Sequence, residues 1–300
     1  MRIPIDPKDQ GHLVAEVERA PGVGAAPMVV LVHGVGGSAE SLYLRRAAVA
    51  FRRAGFHTAR LNMRGAGVSV HDVRSLYHAG LAEDVAAAVT HVGALPDVTR
   101  VAVVGFSLGG NVSLGLAGGA AAERAGTGAS VRPSAFVSVS APLDLDVVSR
   151  GLESFGTWIY RRHVVTSLVA QAKTFRGDDP TRVSWNDGDL ERLRTIRAYD
   201  DLVIAPMHGF RDAADYYAKT SAGPVLGRIT TPTLILHAED DPMVPGRTVR
   251  PWLASRSEAV SVGWTDRGGH VAFVEGTDED AWTRTWAVRR AIDFVARHTS

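Results

Sequence analysis

The stretch Val103-Val-Gly-Phe-Ser-Leu-Gly-Gly-Asn111 sets one serine between two glycines, behind an apolar run and ahead of a segment with helical spacing. A strand that turns directly into a helix strains its middle residue, and glycines two positions to either side relieve the crowding. Gly105-Phe-Ser-Leu-Gly109 therefore reads as a strand–turn–helix corner with Ser107 at its tip. The five letters alone also fit an ordinary turn serine. Their place between a strand and a helix favours a nucleophile.

Outward from that corner the chain alternates. Short β-rich apolar runs, Met28 to Val32, His57 to Leu61, Val101 to Gly105 and Ala135 to Val139, are separated by helix candidates at Ser41 to Ala54, Ala79 to Val92 and Leu108 to Arg124. Runs this short and this apolar suit strands covered on both faces, so the pattern predicts an α/β fold with a mostly parallel central sheet flanked by helices. The alternation stops after Pro142. From about Leu143 to Gly227 the chain is rich in Arg, Trp, Tyr and Asp without a buried-strand run, which predicts an inserted helical lobe, residues 143–227, in a core made of 1–142 and 228–300. Strand runs resume at Pro232 to His237 and Ala259 to Trp264, and a last amphipathic helix is expected over about Ala281 to His298. His12 to Glu18 alternates apolar and polar residues, as an edge strand of an antiparallel lead-in would.

Composition narrows the possible functions. The 300 residues are 45% hydrophobic and 22% charged, with a formal net charge of +1, and the arginines are scattered, so no basic stripe for nucleic acid is present. The chain has no cysteine, which removes disulfides, thiolate metal sites and cysteine nucleophiles. No segment has signal-peptide character or approaches the ~18 apolar residues of a membrane span, which predicts a soluble, cytoplasmic protein without a transmembrane segment.

A serine hydroxyl needs a base, and the base needs an orienting acid. Leu236-His-Ala-Glu-Asp-Asp-Pro-Met-Val-Pro245 places carboxylates at the carboxyl end of a strand, where ligands gather in open α/β sheets. Asp241 is the choice. Asp240 is its neighbour and competitor, Asp144 or Asp146 could serve from another strand, and Asp-Asp-Pro is also a capped-turn pattern. The base comes last in chain order, at His270 of Arg267-Gly-Gly-His-Val-Ala-Phe273, where two glycines allow a close approach.

For the oxyanion, His33-Gly-Val-Gly-Gly-Ser38 after the first apolar run could bring the Val35 N–H opposite the Leu108 N–H. His33 reads as a support for that loop. The histidines make no metal-binding spacing, the glycine loop lacks the spacing of a phosphate cradle, and no cofactor is called for. Gly156 to Tyr160 and Val164 to Val169 are apolar enough to line an acyl site or simply to pack the lobe. Leu143, Trp158, Met207, Met243 and Val271 are the candidate pocket residues.

Taken in this order, the motifs resemble the α/β-hydrolase fold family, from about Val29 to the C-terminus, and within it the YheT-like branch. The resemblance is carried by the loop His33 to Ser38, Asn62-Met-Arg-Gly65, Tyr77-His-Ala-Gly80, the corner Gly105 to Asn111, Tyr199-Asp-Asp-Leu202, and His208-Gly-Phe-Arg-Asp-Ala-Ala-Asp-Tyr-Tyr217. It implies a serine esterase or lipase-like enzyme acting on small-molecule acyl esters, with Ser107, Asp241 and His270 as its triad. An acyltransferase or thioesterase with the same triad is the alternative, and a non-catalytic binder on a hydrolase scaffold is the reading from another class. Members with longer N-terminal extensions or a membrane anchor differ from this chain, so membrane attachment does not carry over.

Overall fold

A computed structural model describes residues 1–5, 11–119, 132–177, 179–273 and 285–300. Eight strands form one sheet in the order β1-β2-β4-β3-β5-β6-β7-β8. They run over Arg2–Pro4 (β1), His12–Glu18 (β2), Ala26–Val32 (β3), His57–Asn62 (β4), Val98–Phe106 (β5), Ala135–Val139 (β6), Thr233–Ala238 (β7) and Val260–Thr265 (β8). The pairings β1 with β2 and β2 with β4 are antiparallel, and the others are parallel.

The parallel strands are apolar on both sides because both sides are covered. Val29 and Leu31 of β3 pack with Leu44 and Phe51 of the helix Leu42–Arg53 (α1) and with Ala291 and Val295 of the last helix, Trp286–Thr299. Val30 and Val32, facing the other way, meet Val85 and Val89 of the helix Ala82–Gly93 (α2) and Val112 of the helix Leu108–Ala117 (α3). Each fully buried side chain of this size stabilises the fold by roughly 1.5–3 kcal/mol relative to exposure.

The antiparallel lead-in needs one correction. His12–Glu18 is not the edge, because Arg2–Pro4 pairs outside it, with Ile3 opposite Leu13. Ile3 is fully buried, but three residues ending at a proline are too short a run to show a period. The helix expected from Ala79 begins at Ala82, because Leu81 before it is non-helical (φ −82°, ψ 57°); the Ala79 N–H donates to the Tyr216 hydroxyl (2.9 Å). The helix from Leu108 ends at Ala117, and residues 120–124 of that expectation, like 281–284 of the last helix, lie outside the described residues.

Between β6 and β7 the described residues form helices and turns only, among them Leu145–Gly151, Trp158–Arg176, Ala205–His208 and Ala213–Thr220. Asn111 of α3 ties this segment down: its side-chain amide donates to Thr220 O (2.9 Å) and its side-chain oxygen accepts from the Ala222 N–H (2.9 Å). No helix among the described residues is long and apolar enough to cross a membrane.

Candidate active site

Ser107 stands at the carboxyl end of β5 with φ 51° and ψ −121°, in the left-handed region that a non-glycine residue seldom occupies. Such a residue costs of order 1–3 kcal/mol and persists only where its surroundings hold it. They do so here: the Ser107 N–H donates to Val139 O (2.8 Å), and Ser107 O accepts from the N–H groups of Gly110 (2.9 Å) and Asn111 (3.2 Å). A side chain at Gly109 would overlap the carbonyls of Val32 and His33, and one at Gly105 would overlap Gly109. The two glycines are therefore steric requirements of the corner.

The residues chosen from sequence meet at this corner. His270 Nε2 lies 3.0 Å from Ser107 Oγ, and His270 Nδ1 lies 2.8 Å from Asp241 Oδ2. An ionised carboxylate only accepts, so the proton of a neutral imidazole belongs on Nδ1 and the Nε2 lone pair faces the serine. Asp241 is itself fixed, since its Oδ1 accepts from the N–H groups of Met243 and Val244, each at 2.9 Å. Its side chain is fully buried, whereas that of His270 is 12% exposed, enough to reach a substrate.

The competing aspartates have other work. Asp240 accepts from the N–H groups of Gly268 (2.8 Å) and Gly269 (3.0 Å), and so shapes the loop that carries His270. Asp144 caps the helix Leu145–Gly151 by accepting from the Val147 N–H (3.1 Å), and Asp146 pairs with Arg150 and Arg197. Asp241 thus both caps the turn after β7 and faces His270, while Asp240 serves the histidine loop.

The glycine loop after β3 lies against the serine: a side-chain carbon on Gly34 would come within 2.9 Å of Ser107 Cβ. Two tyrosines hold the loop. The Gly34 N–H donates to the Tyr43 hydroxyl (2.8 Å) and the Gly36 N–H to the Tyr77 hydroxyl (2.6 Å). Between them the Val35 N–H has no partner among the described residues, and the same is true of the Leu108 N–H in the first turn of α3, where the helix dipole is positive. His33 supports the loop as expected. Its Nδ1–H donates to Gly34 O (2.8 Å) and its Nε2 accepts from the Met63 N–H (3.2 Å), and burial pushes its pKa down to about 4, keeping it neutral.

A cavity opens beside these two amides. Val35 and Leu108 line it, with Tyr77, Leu168, Asp200 and Tyr217 farther along its wall. The five residues chosen as pocket lining lie elsewhere. Leu143 is wholly buried in an apolar cluster on the α3 flank, and Trp158 opens a helix on a face that leaves it 43% exposed. Met243 packs into two clusters, Met207 sulfur receives the Leu76 N–H (3.1 Å), and Val271 packs on the opposite face of the sheet. Of the apolar stretch Val164 to Val169, Leu168 reaches the cavity; Gly156 to Tyr160 does not.

Tyr43, Tyr77, Asp200 and Tyr217 were absent from the sequence choice. Tyr77 and the Asp-Tyr-Tyr segment stood in motifs, but their contacts join residues far apart in the chain. A further motif residue, Arg64, forms a buried ion pair with Asp84 at 2.7 Å.

Residues 27–277 match the α/β hydrolase fold family. The chain belongs to that family. Among its relatives, the putative esterase YheT of Escherichia coli K12 is 34% identical over 251 residues, covering 84% of this chain and 72% of that one. A monoacylglycerol lipase of Saccharomyces cerevisiae is 26% identical over 264 residues, and this chain spans 57% of its length. Among solved structures, an esterase of Pyrococcus furiosus shares the fold with a TM-score of 0.64 at 18% identity, over 100% of this chain and 91% of that one. This α/β hydrolase is an enzyme of the esterase- and lipase-like kind, and of the YheT-like branch within it.

Proposed function

We propose that the chain hydrolyses carboxylic esters through a covalent acyl-enzyme, with Ser107 as nucleophile, His270 as general base and Asp241 as the acid that orients it. The observation that carries this reading is the continuous contact from Ser107 Oγ to His270 Nε2 (3.0 Å) and from His270 Nδ1 to Asp241 Oδ2 (2.8 Å). As Ser107 Oγ attacks the ester carbonyl, its proton passes to His270 Nε2, and Asp241 stabilises the imidazolium. The tetrahedral oxyanion accepts from the Val35 and Leu108 N–H groups. Loss of one such donor raises the barrier by about 3 kcal/mol. Collapse expels the alcohol, which takes the proton from His270. Water, deprotonated by the same nitrogen, then attacks the acyl-serine, and the acid leaves.

The substrate is a small-molecule acyl ester, and the inserted segment 143–227 acts as a lid over the carboxyl ends of the strands. Support for the lid comes from the cavity, whose walls beyond Val35 and Leu108 include Leu168, Asp200 and Tyr217 of that segment. The relatives' names, a putative esterase and a monoacylglycerol lipase, agree with ester chemistry. The test is hydrolysis of p-nitrophenyl esters of increasing acyl length by the wild type and Ser107→Ala. Turnover is expected to fall on the order of 10⁴-fold or more. A variant that keeps activity within about tenfold of wild type overturns the assignment.

A further inference from the structure

The Asp-rich, double-tyrosine segment has no part in the proton path from Ser107 to Asp241, yet it forms an end of the cavity that begins at Val35 and Leu108. Asp200 opens a single π-helical turn, Asp200–Ile204, an irregularity that recurs at functional sites. The residue is only 7% exposed. One oxygen, Oδ2, accepts from the Tyr217 hydroxyl at 2.6 Å. The other, Oδ1, has no partner among the described residues and is the polar atom this side chain offers to the cavity. Of the tyrosines on the same wall, Tyr77 and Tyr216 accept from the N–H groups of Gly36 and Ala79. An acceptor left open on a cavity wall, on a residue otherwise buried, is a place where a donor brought by a ligand can bond.

We propose that Asp200 Oδ1 accepts a hydrogen bond from a hydroxyl group of the substrate, so that the enzyme selects acyl esters carrying a free hydroxyl over their deoxy counterparts. This rests on Ser107 as the nucleophile and adds the chemical class of substrate. A neutral donor fits better than an ammonium group. The Arg197 guanidinium, 5.5 Å from the centre of the Tyr217 ring, already acts on the Asp200 carboxyl. Burial also pushes the Asp200 pKa up to about 7, with the Tyr217 hydrogen bond opposing, so near neutrality the group carries only part of a charge. A carboxyl oxygen keeps lone pairs in either protonation state. Tyr217 keeps its proton, because burial and the charge of Asp200 both drive its ionisation upward.

The experiment compares kcat/KM within two matched pairs, methyl 6-hydroxyhexanoate against methyl hexanoate and 3-hydroxypropyl hexanoate against propyl hexanoate. The first pair places the hydroxyl on the acyl side and the second on the alcohol side. The wild type is expected to prefer the hydroxylated member of one pair by about tenfold or more. In Asp200→Asn, with the amide oxygen taken by Tyr217, the NH₂ left facing the cavity can no longer accept the hydroxyl proton and meets only the hydroxyl oxygen, so that ratio is expected to fall at least about threefold, with the deoxy ester within about threefold of wild type. Equal turnover within both pairs by the wild type overturns the proposal, whether or not the variant folds. An equal loss on all four esters in Asp200→Asn overturns it too, since that marks a merely structural acid. Fluorophosphonate labelling keeps the two readings apart. A labelled Ser107 with no hydroxyl preference defeats the Asp200 proposal alone, and an unlabelled Ser107 defeats the nucleophile on which it rests.

Discussion

The strand-end corner and the helical segment above it are built by different means. At the corner, Ser107 is set by main-chain groups, its own turn to Gly110 and Asn111 and the backbones of Val139, Val32 and His33 packed against it, and the strain is plain. Among the described residues, the non-glycine residues with positive φ are Ser107, Ser140, Val271 and Phe273, all on the loops that carry the serine and the histidine or buttress them. Ser140 Oγ, for example, accepts from the Val271 N–H (3.2 Å). In the helical segment the cavity wall depends on contacts between distant residues. Asn111 to Thr220 spans 109 positions, and Ala79 to Tyr216 spans 137. Backbone sterics fix the chemistry, while side-chain packing across the fold shapes what enters.

That contrast breaks first at the corner. Gly109→Ala puts a methyl group against the carbonyls of Val32 and His33, which belong to β3 and its loop and cannot move aside without disturbing the sheet. A loss of about 3 kcal/mol or more in stability, read by thermal or denaturant unfolding, is expected. A melting temperature within about 2 °C of wild type would show that the corner tolerates a side chain after all.

Asp241→Asn comes next and should leave the fold in place. The amide can still accept from Met243 and Val244 N–H, but it no longer holds His270 in the tautomer that offers Nε2 to the serine. A fall in kcat on the order of 10⁴-fold is expected from steady-state kinetics, and a fall under about tenfold would remove Asp241 from the role proposed for it.

The smallest effect belongs to the upper region. Folding raises the Asp200 pKa from its ordinary value of 3.8 to about 7, so the folded protein holds a proton that the unfolded chain releases near pH 4. Burial of this acid therefore favours the folded state at low pH, and the contribution is lost as pH rises toward about 7. His33 and His208, each lowered to about 4 by burial, act in the opposite sense, so the net profile mixes these terms. The difference in melting temperature between Asp200→Asn and wild type isolates the acid. It is expected to shift in favour of the variant as pH goes from 4 to 7. A constant difference across that range would contradict a buried acid with a raised pKa.

The same division explains what could be read from the chain. Strands β3, β5, β6 and β7 were legible because a buried parallel strand is apolar almost without interruption, whereas β4 (His57-Thr-Ala-Arg-Leu-Asn62) and β8 (Val260-Ser-Val-Gly-Trp-Thr265) carry polar residues and were legible by their place in the alternation. Ser107, Asp241 and His270 were legible because each sits just beyond such a strand, in a turn whose glycines or prolines mark it. β1 was missed because three residues carry no period. The cavity residues were missed because exposure and direction within an irregular helical segment are set by distant partners. Trp158 and Met207 were chosen for their apolar surface, and the fold turns them to other neighbours. Asp200 and Tyr217 were noticed as a motif, but their pairing over 17 positions emerges only in three dimensions.

The most direct test of the central claim is intact-mass spectrometry after a fluorophosphonate reaction with folded protein. Ser107 activated by His270 predicts one covalent adduct, mapped to Ser107 in the wild type, absent in Ser107→Ala and formed far more slowly in His270→Ala. A folded wild type that stays unlabelled, or an adduct on another residue, would contradict it.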